Sequence, residues 1–196
     1  MPVADHALYA LAWFSFGIGH SLLAGATRHR GTLKRFGGAH RLMYNGVAAL
    51  HLALVLGFGW WLLHLLPPFH LPQAVYWAQN VMIVMGAGIG LAALRGYRAG
   101  PFLGFSQLRG KGDDDEPLSV TGIHRLIRHP LYTASMLILW GLARSQFGVA
   151  TAIWTTLYFI IGSRVEEARL TVRYGDAYRT YRRTTPAFIP SLGRNR

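Results

Sequence analysis

Apolar and polar positions in this chain are separated into long blocks. Apolar runs cover residues 7–27, 42–66 and 73–95, and a further run covers 130–162. About 20 apolar residues, rising about 1.5 Å each, match a hydrocarbon core about 30 Å thick. The first three runs therefore predict three membrane-spanning helices. The first carries Gly17, Gly19 and Gly25 with His20-Ser21; the second carries Asn45, His51 and His64 and stops at Pro67-Pro68. Pro72 resets the chain for the third, where Gly86, Gly88 and Gly90 suit close helix packing in lipid. The last run must enter and return, with a turn expected at residues 143–148. Each arm of it spans about 20–22 Å, short of a full crossing. The second arm is expected to continue as helix beyond the apolar run, since no breaker occurs before Gly175. Pro130 suits a first helical position and leaves His129 at the cap, its side chain free to face a ligand. The pattern predicts an all-α, polytopic integral membrane protein of about five transmembrane helices, the last two forming a short helical hairpin.

Composition agrees with that reading. The chain has 196 residues, of which 52% are hydrophobic and 14% charged, and fits a single membrane domain. Residues 1–95 would hold the three N-terminal helices, and 96–196 a loop, the hairpin and a tail. All of the 20 basic residues except Arg144 fall in three blocks: residues 28–41, residues 95–128, and the tail from Arg164. Five crossings place these blocks on one side, which the positive-inside rule makes cytoplasmic, so the N-terminus is expected outside and the C-terminus inside. The expected location is a bacterial inner membrane. A net charge of +12 needs only topology and anionic headgroups to explain it, and no nucleic-acid motif accompanies it. The absence of cysteine excludes disulfides, thiolate metal sites and a cysteine nucleophile. Asp5, with no Lys or Arg before the first apolar run, argues for a retained helix over a signal peptide.

Charge at the membrane surface narrows the chemistry. Arg128-His129-Pro130-Leu131-Tyr132 opens the hairpin, and Glu166-Glu167 follows its second arm. A His, several Arg and two adjacent carboxylates thus meet at the same end of two embedded segments, where charge is expensive and tends to be functional. His129 can donate or accept a proton near neutral pH, and Arg128 offers a rigid fork for a carboxylate. The plain alternatives are an interface anchor for Arg128-His129 and solvated interfacial acids for the glutamates. One glutamate can pair with Arg164 or Arg169 while the other points into the bundle, and Glu167 is taken to face the ligand. Tyr174, Tyr178 and Tyr181 are spaced four and three apart and so share a helix face, giving either an interfacial aromatic belt or a wall over a cofactor. In the loop, Asp113-Asp114-Asp115-Glu116 reads as a solvated run. Residues 102–107 are apolar enough to pack against the membrane domain and bring Gln107 to a ligand. His20, His51 and His64 are intramembrane; hydrogen-bonded helix packing is the ordinary reading, and a haem held by His20 and His51 is the alternative. No metal signature is present.

The pattern Gly122…Arg128-His129-Pro130-Leu131-Tyr132, then Glu166-Glu167…Leu170…Tyr174-Gly175…Tyr178…Tyr181…Pro186, resembles the membrane methyltransferases of the isoprenylcysteine carboxyl methyltransferase superfamily. It covers roughly residues 100–190. Phe16-Gly17-Ile18-Gly19-His20-Ser21 and Gly104-Phe105-Ser106-Gln107 are similar to the methanethiol S-methyltransferase and NnrU-like branches. Two positions depart from the pattern: His124 where relatives often have Tyr, and Tyr174 where Phe is common. The resemblance implies a methyltransferase using S-adenosylmethionine bound at the cytoplasmic face, acting on a small thiol or lipophilic acceptor. An NnrU-like haem-binding protein without that activity is the alternative. Carried over by position, Gln107, His124, Arg128, His129, Pro130, Tyr132, Glu166, Glu167, Tyr178 and Tyr181 would line the cofactor. Glu167 and Arg173 would act in catalysis, and Arg128 or Arg173 would meet the cofactor's carboxylate. The partners implied are that acceptor and membrane lipids, with no obligate protein partner.

Overall fold

The structure is a computed structural model that describes residues 2–26, 39–95 and 117–190. Every regular element among the described residues is helical: α1 (Pro2–Ala26), α2 (His40–Leu63), α3 (Gln73–Leu94), a 3-10 turn (Gly122–Arg125), α4 (Pro130–Gly141), α5 (Gln146–Tyr174) and α6 (Asp176–Thr184). Four of them, α1, α2, α3 and α5, are long and apolar enough to cross a membrane. The chain is an integral membrane protein. The first arm of the expected hairpin is α4, whose 12 residues reach only about 18 Å. The second arm continues as expected, α5 running 29 residues to Tyr174. The described residues divide into two compact units, residues 2–26 with 39–67, and residues 68–95 with 117–190.

In the first unit, α1 turns Tyr9, Trp13 and Phe16 inward at helical spacing, while Leu8, Leu11, Ile18 and Leu22 face out. Lipid is as apolar as leucine, so shape and small residues decide which face packs. Gly59 on α2 leaves the space that the Tyr9 ring fills: a Cβ there would lie 2.1–2.6 Å from that ring. Further along, Ser15 Oγ pairs with His51 Nε2 at 3.2 Å, and the Tyr44 hydroxyl pairs with His20 Nε2. The Phe16 ring sits against both imidazoles, 5.6 Å from His20 and 5.5 Å from His51. Through these Nε2 contacts the two histidines tie α1 to α2. His64 caps α2, its Nδ1 lying 3.0 Å from the carbonyls of Trp60 and Trp61.

In the second unit, α3 and α4 pack backbone to backbone along a small-residue seam. A Cβ on Gly86 would come within 2.8 Å of the Ala134 carbonyl, and one on Gly141 within 2.6 Å of the Gln79 carbonyl. Gly90 faces Ala134, whereas Gly88 faces nothing within 4 Å. Two of the three glycines singled out in the sequence thus build the seam. The turn between α4 and α5 is pinned to α3 by Arg144. Its Nε donates to Gln79 Oε1 at 3.3 Å, its Nη2 to Asn80 Oδ1, and its guanidinium lies over the Tyr76 ring. Gln79 completes the clamp by donating to the Ala143 carbonyl at 3.1 Å. The basic residue outside the three blocks is thereby held by amides and an aromatic face. Ser145 caps α5 through Gly148 N at 3.1 Å. At the other end Gly175 adopts φ 56°, a left-handed conformation that suits glycine and breaks α5 from α6. That break lets α6 fold back and bury Tyr178 and Tyr181.

Candidate functional site

Four pieces of the second unit converge at the start of α4: the 3-10 turn, the last turns of α5, α6, and residues 185–190 that follow it. The centre is Glu167, whose side chain is 9% exposed. Its Oε1 accepts from Arg128 Nε at 2.9 Å, from Arg128 Nη2 at 2.6 Å and from His129 Nε2 at 3.0 Å. Its Oε2 faces Arg182 Nε at 3.4 Å. Charge-assisted bonds of this kind are what make a buried carboxylate tolerable. Glu166, one position round the helix, is 44% exposed and approaches His129 Nδ1 at 3.6 Å. Its Oε2 accepts from the Tyr132 hydroxyl at 2.9 Å. His129 therefore stands between two carboxylates, one buried and one open.

Arg128 also serves the end of α6. Its Nη1 donates to the carbonyls of Arg182, at 3.0 Å, and Thr185, satisfying acceptors a helix C-terminus leaves over. Four of its five N–H donors are thus bound to protein, and it organises the site more than it offers itself to a ligand. Aromatic rings form one wall. His129 and Tyr132 stack at 5.4 Å, Tyr132 and Phe159 at 4.6 Å, and Phe188 leans on His129 at 5.6 Å.

Two groups from the sequence expectation are deeply placed. His124 is buried, and the Tyr181 hydroxyl donates to its carbonyl at 2.6 Å. Burial lowers its pKa below the ordinary 6.5, against a hydrogen bond to the Arg128 main chain that raises it. Tyr178 is 1% exposed, and among the described residues its hydroxyl meets no well-formed hydrogen-bond partner, although the Arg128 guanidinium lies beside it. Burial, then the negative charge of Glu167, pushes this phenol up to about 12, so it is a neutral donor throughout the physiological range. The nearby Arg128 moderates that shift.

The structure brings together His124, Arg128, His129, Tyr132, Glu166, Glu167, Tyr178 and Tyr181. Pro130 serves as the first residue of α4 and is fully buried. Arg173 is exposed with its guanidinium over the Tyr174 ring at 5.1 Å, and the arginines bonded to Glu167 are Arg128 and Arg182. Gln107 lies outside the described residues. The aromatic-belt reading of the tyrosines does not hold for Tyr178 and Tyr181, which are buried in edge-to-face contact at 6.0 Å. Phe159, Arg182, Thr185 and Phe188 were not anticipated. For Phe188 the available signal was its setting in Pro186-Ala187-Phe188-Ile189-Pro190, a proline-bracketed apolar segment inside a basic tail.

Comparison with known proteins agrees with this region. Methanethiol S-methyltransferase of Pseudomonas deceptionensis is 31% identical over 74 residues, which is 37% of this chain and 28% of that protein. The enzyme of the same name from Crocosphaera subtropica is 32% identical over 72 residues, 36% of this chain and 28% of that protein. Methanethiol S-methyltransferase 2 of Bradyrhizobium diazoefficiens is 27% identical over 89 residues, 45% of this chain and 34% of that protein. The chain thus spans about a third or less of the length of these relatives. No solved structure matches it. The model of the phospholipid methyltransferase family, PEMT, matches residues 80–177, half of the chain and all of the Arg128–Glu167 centre, and the chain belongs to that family.

Proposed function

We propose that this protein is a membrane-embedded methyltransferase that uses S-adenosylmethionine and methylates a small thiol or lipophilic acceptor. The observation that carries the reading is the cluster of opposed charges around His129. Buried Glu167 is saturated by Arg128, His129 and Arg182, while the neighbouring Glu166 keeps an open carboxylate edge.

The donor set fits the cofactor's chemistry. Glu166 is an anion available to an ammonium or sulfonium. Arg182, 59% exposed on its side chain, is a cation available to a carboxylate. The stacked rings of His129, Tyr132 and Phe159 form an aromatic wall, and the buried Tyr178 hydroxyl meets no acceptor among the described residues. The bound cofactor would supply a methyl group on a sulfonium, open to in-line displacement by a nucleophile. The protein's contribution is then position and dryness. Arg128 locks α4, α5 and α6 together, Glu167 holds His129 at a fixed angle, and Tyr132 orients Glu166. A thiol, with a pKa of about 8.5, needs only modest help to react as thiolate. The names of the relatives favour a thiol acceptor. The positive-inside count supports a site facing the cytoplasm.

The test is methyl transfer from labelled S-adenosylmethionine by the purified protein in proteoliposomes, against thiols, prenylcysteines and amino-lipids. Transfer to one acceptor class is expected, lost in His129→Ala and reduced in Glu166→Gln. A wild-type protein that neither binds S-adenosylhomocysteine nor methylates any of the panel would sink the proposal.

A further inference from the structure

The segment that follows α6 runs beside the start of α4 and is bonded to it at every step. The Arg128 amide donates to the Pro186 carbonyl at 2.9 Å, and the His129 amide to the Ala187 carbonyl at 3.0 Å. The Thr133 hydroxyl donates to the Phe188 carbonyl at 3.0 Å. Thr185, held extended at φ −120° and ψ 126° as a residue before proline prefers, directs its carbonyl to Arg128 Nη1. The two amides engaged this way belong to the residues just before α4, which have no partner within that helix. These contacts also hold His129 at φ −119° and ψ 64°, outside the helix, with the Phe188 ring 5.6 Å from its imidazole. Nothing in the family match reaches this segment, which begins beyond residue 177.

From this geometry we infer that residues 185–188 are a strap that sets Arg128 and His129 for ligand binding, with Phe188 as the positioning residue. The inference rests on the methyl-donor reading for its ligand but not for its mechanics. A ring on one side and Glu167 on the other fix the imidazole in a single rotation. The backbone bonds fix its height above α5. Removing the ring frees the strap's end without touching Glu166, Glu167 or Tyr178. Aromatic pairing at this separation depends on the ring and not on apolar volume alone, so leucine and tyrosine replace phenylalanine differently.

The experiment uses the full chain in detergent with Phe188→Ala, Phe188→Leu and Phe188→Tyr, and two readouts. Hydrogen exchange at the Arg128 and His129 amides reports whether the strap is docked, with no ligand present. Calorimetry with S-adenosylhomocysteine reports whether docking matters to the site. Phe188→Ala is expected to speed exchange at both amides and weaken binding by about threefold to tenfold, with Phe188→Tyr restoring both and Phe188→Leu restoring neither fully. Unchanged exchange in Phe188→Ala overturns the strap. Faster exchange with unchanged affinity, or full rescue by leucine, overturns the positioning role. A wild-type protein that does not bind S-adenosylhomocysteine overturns the ligand reading, and the exchange arm still decides the strap.

Discussion

Replacing Glu167 by alanine is expected to be the most damaging single change near the site. It removes the oxygen that receives two Arg128 bonds and one His129 bond. Arg128 and His129 are 10% and 5% exposed on their side chains, so Arg128 is left buried with only the carbonyls of Arg182 and Thr185, and His129 with only the more distant Glu166 as an ionic partner. Breaking a buried pair by deleting one partner costs about 3–5 kcal/mol. The upper part of that range is expected, because Arg128 cannot swing to solvent without also giving up the carbonyls of Arg182 and Thr185. Glu167→Gln keeps a carbonyl acceptor of the same shape and loses the charge, and should cost about 1–3 kcal/mol. Reversible unfolding in mixed micelles measures both. A double-mutant cycle with Arg128→Met should give a coupling of about 1–3 kcal/mol. Additive effects, or a loss below about 1 kcal/mol for Glu167→Ala, would show that Glu167 is not the centre of the cluster.

Other outcomes follow from the same geometry. Tyr178→Phe removes a buried hydroxyl with no well-formed hydrogen bond among the described residues, so stability should change by less than about 1 kcal/mol while affinity for S-adenosylhomocysteine falls; equal affinity would remove Tyr178 from the ligand contacts. In wild type, a tyrosine titrating at about 12 should be visible by ultraviolet absorbance and vanish in that variant. His124 takes up a proton near 6.5 when unfolded but only at lower pH when folded. Stability should therefore fall as pH drops from 6.5 through the folded value, and His124→Gln should flatten that slope; identical slopes would refute it. Gly141→Ala forces a Cβ within 2.6 Å of the Gln79 carbonyl and should destabilise by about 1–3 kcal/mol. Gly88→Ala meets nothing and should be neutral or stabilising by up to about 1 kcal/mol through helix propensity, a contrast that thermal unfolding can check.

Much of the fold could be read along the chain because hydrophobic run length is a local property. Residues 73–95 read as a helix and form one from Gln73 to Leu94, and the absence of a breaker before Gly175 carried α5 to Tyr174. Arg128-His129 and Glu166-Glu167 could be singled out because charge beside apolar segments is costly wherever the chain goes. Their pairing was another matter. Glu166 and Glu167 are chemically identical neighbours, and only the rotation of α5 against α4 buries one under Arg128 and leaves the other open. The spacing of Tyr174, Tyr178 and Tyr181 suggested one helix face, until a positive φ at Gly175 put the last two on α6 and turned them inward. Arg173, a candidate with Arg128 for a cofactor carboxylate, lies over the Tyr174 ring, and the pairing of Arg182 with Glu167 depends on α6 folding back after Gly175. The strap pairs residues 55 or more positions apart, with no periodicity to announce it. Where this protein meets lipid can be read segment by segment along the chain, since transfer from water depends on each segment's own surface. Which charges meet, and which stay open to a ligand, was decided only by the tertiary structure, because hydrogen bonds at about 3 Å depend on the relative rotation and depth of helices that no single segment encodes.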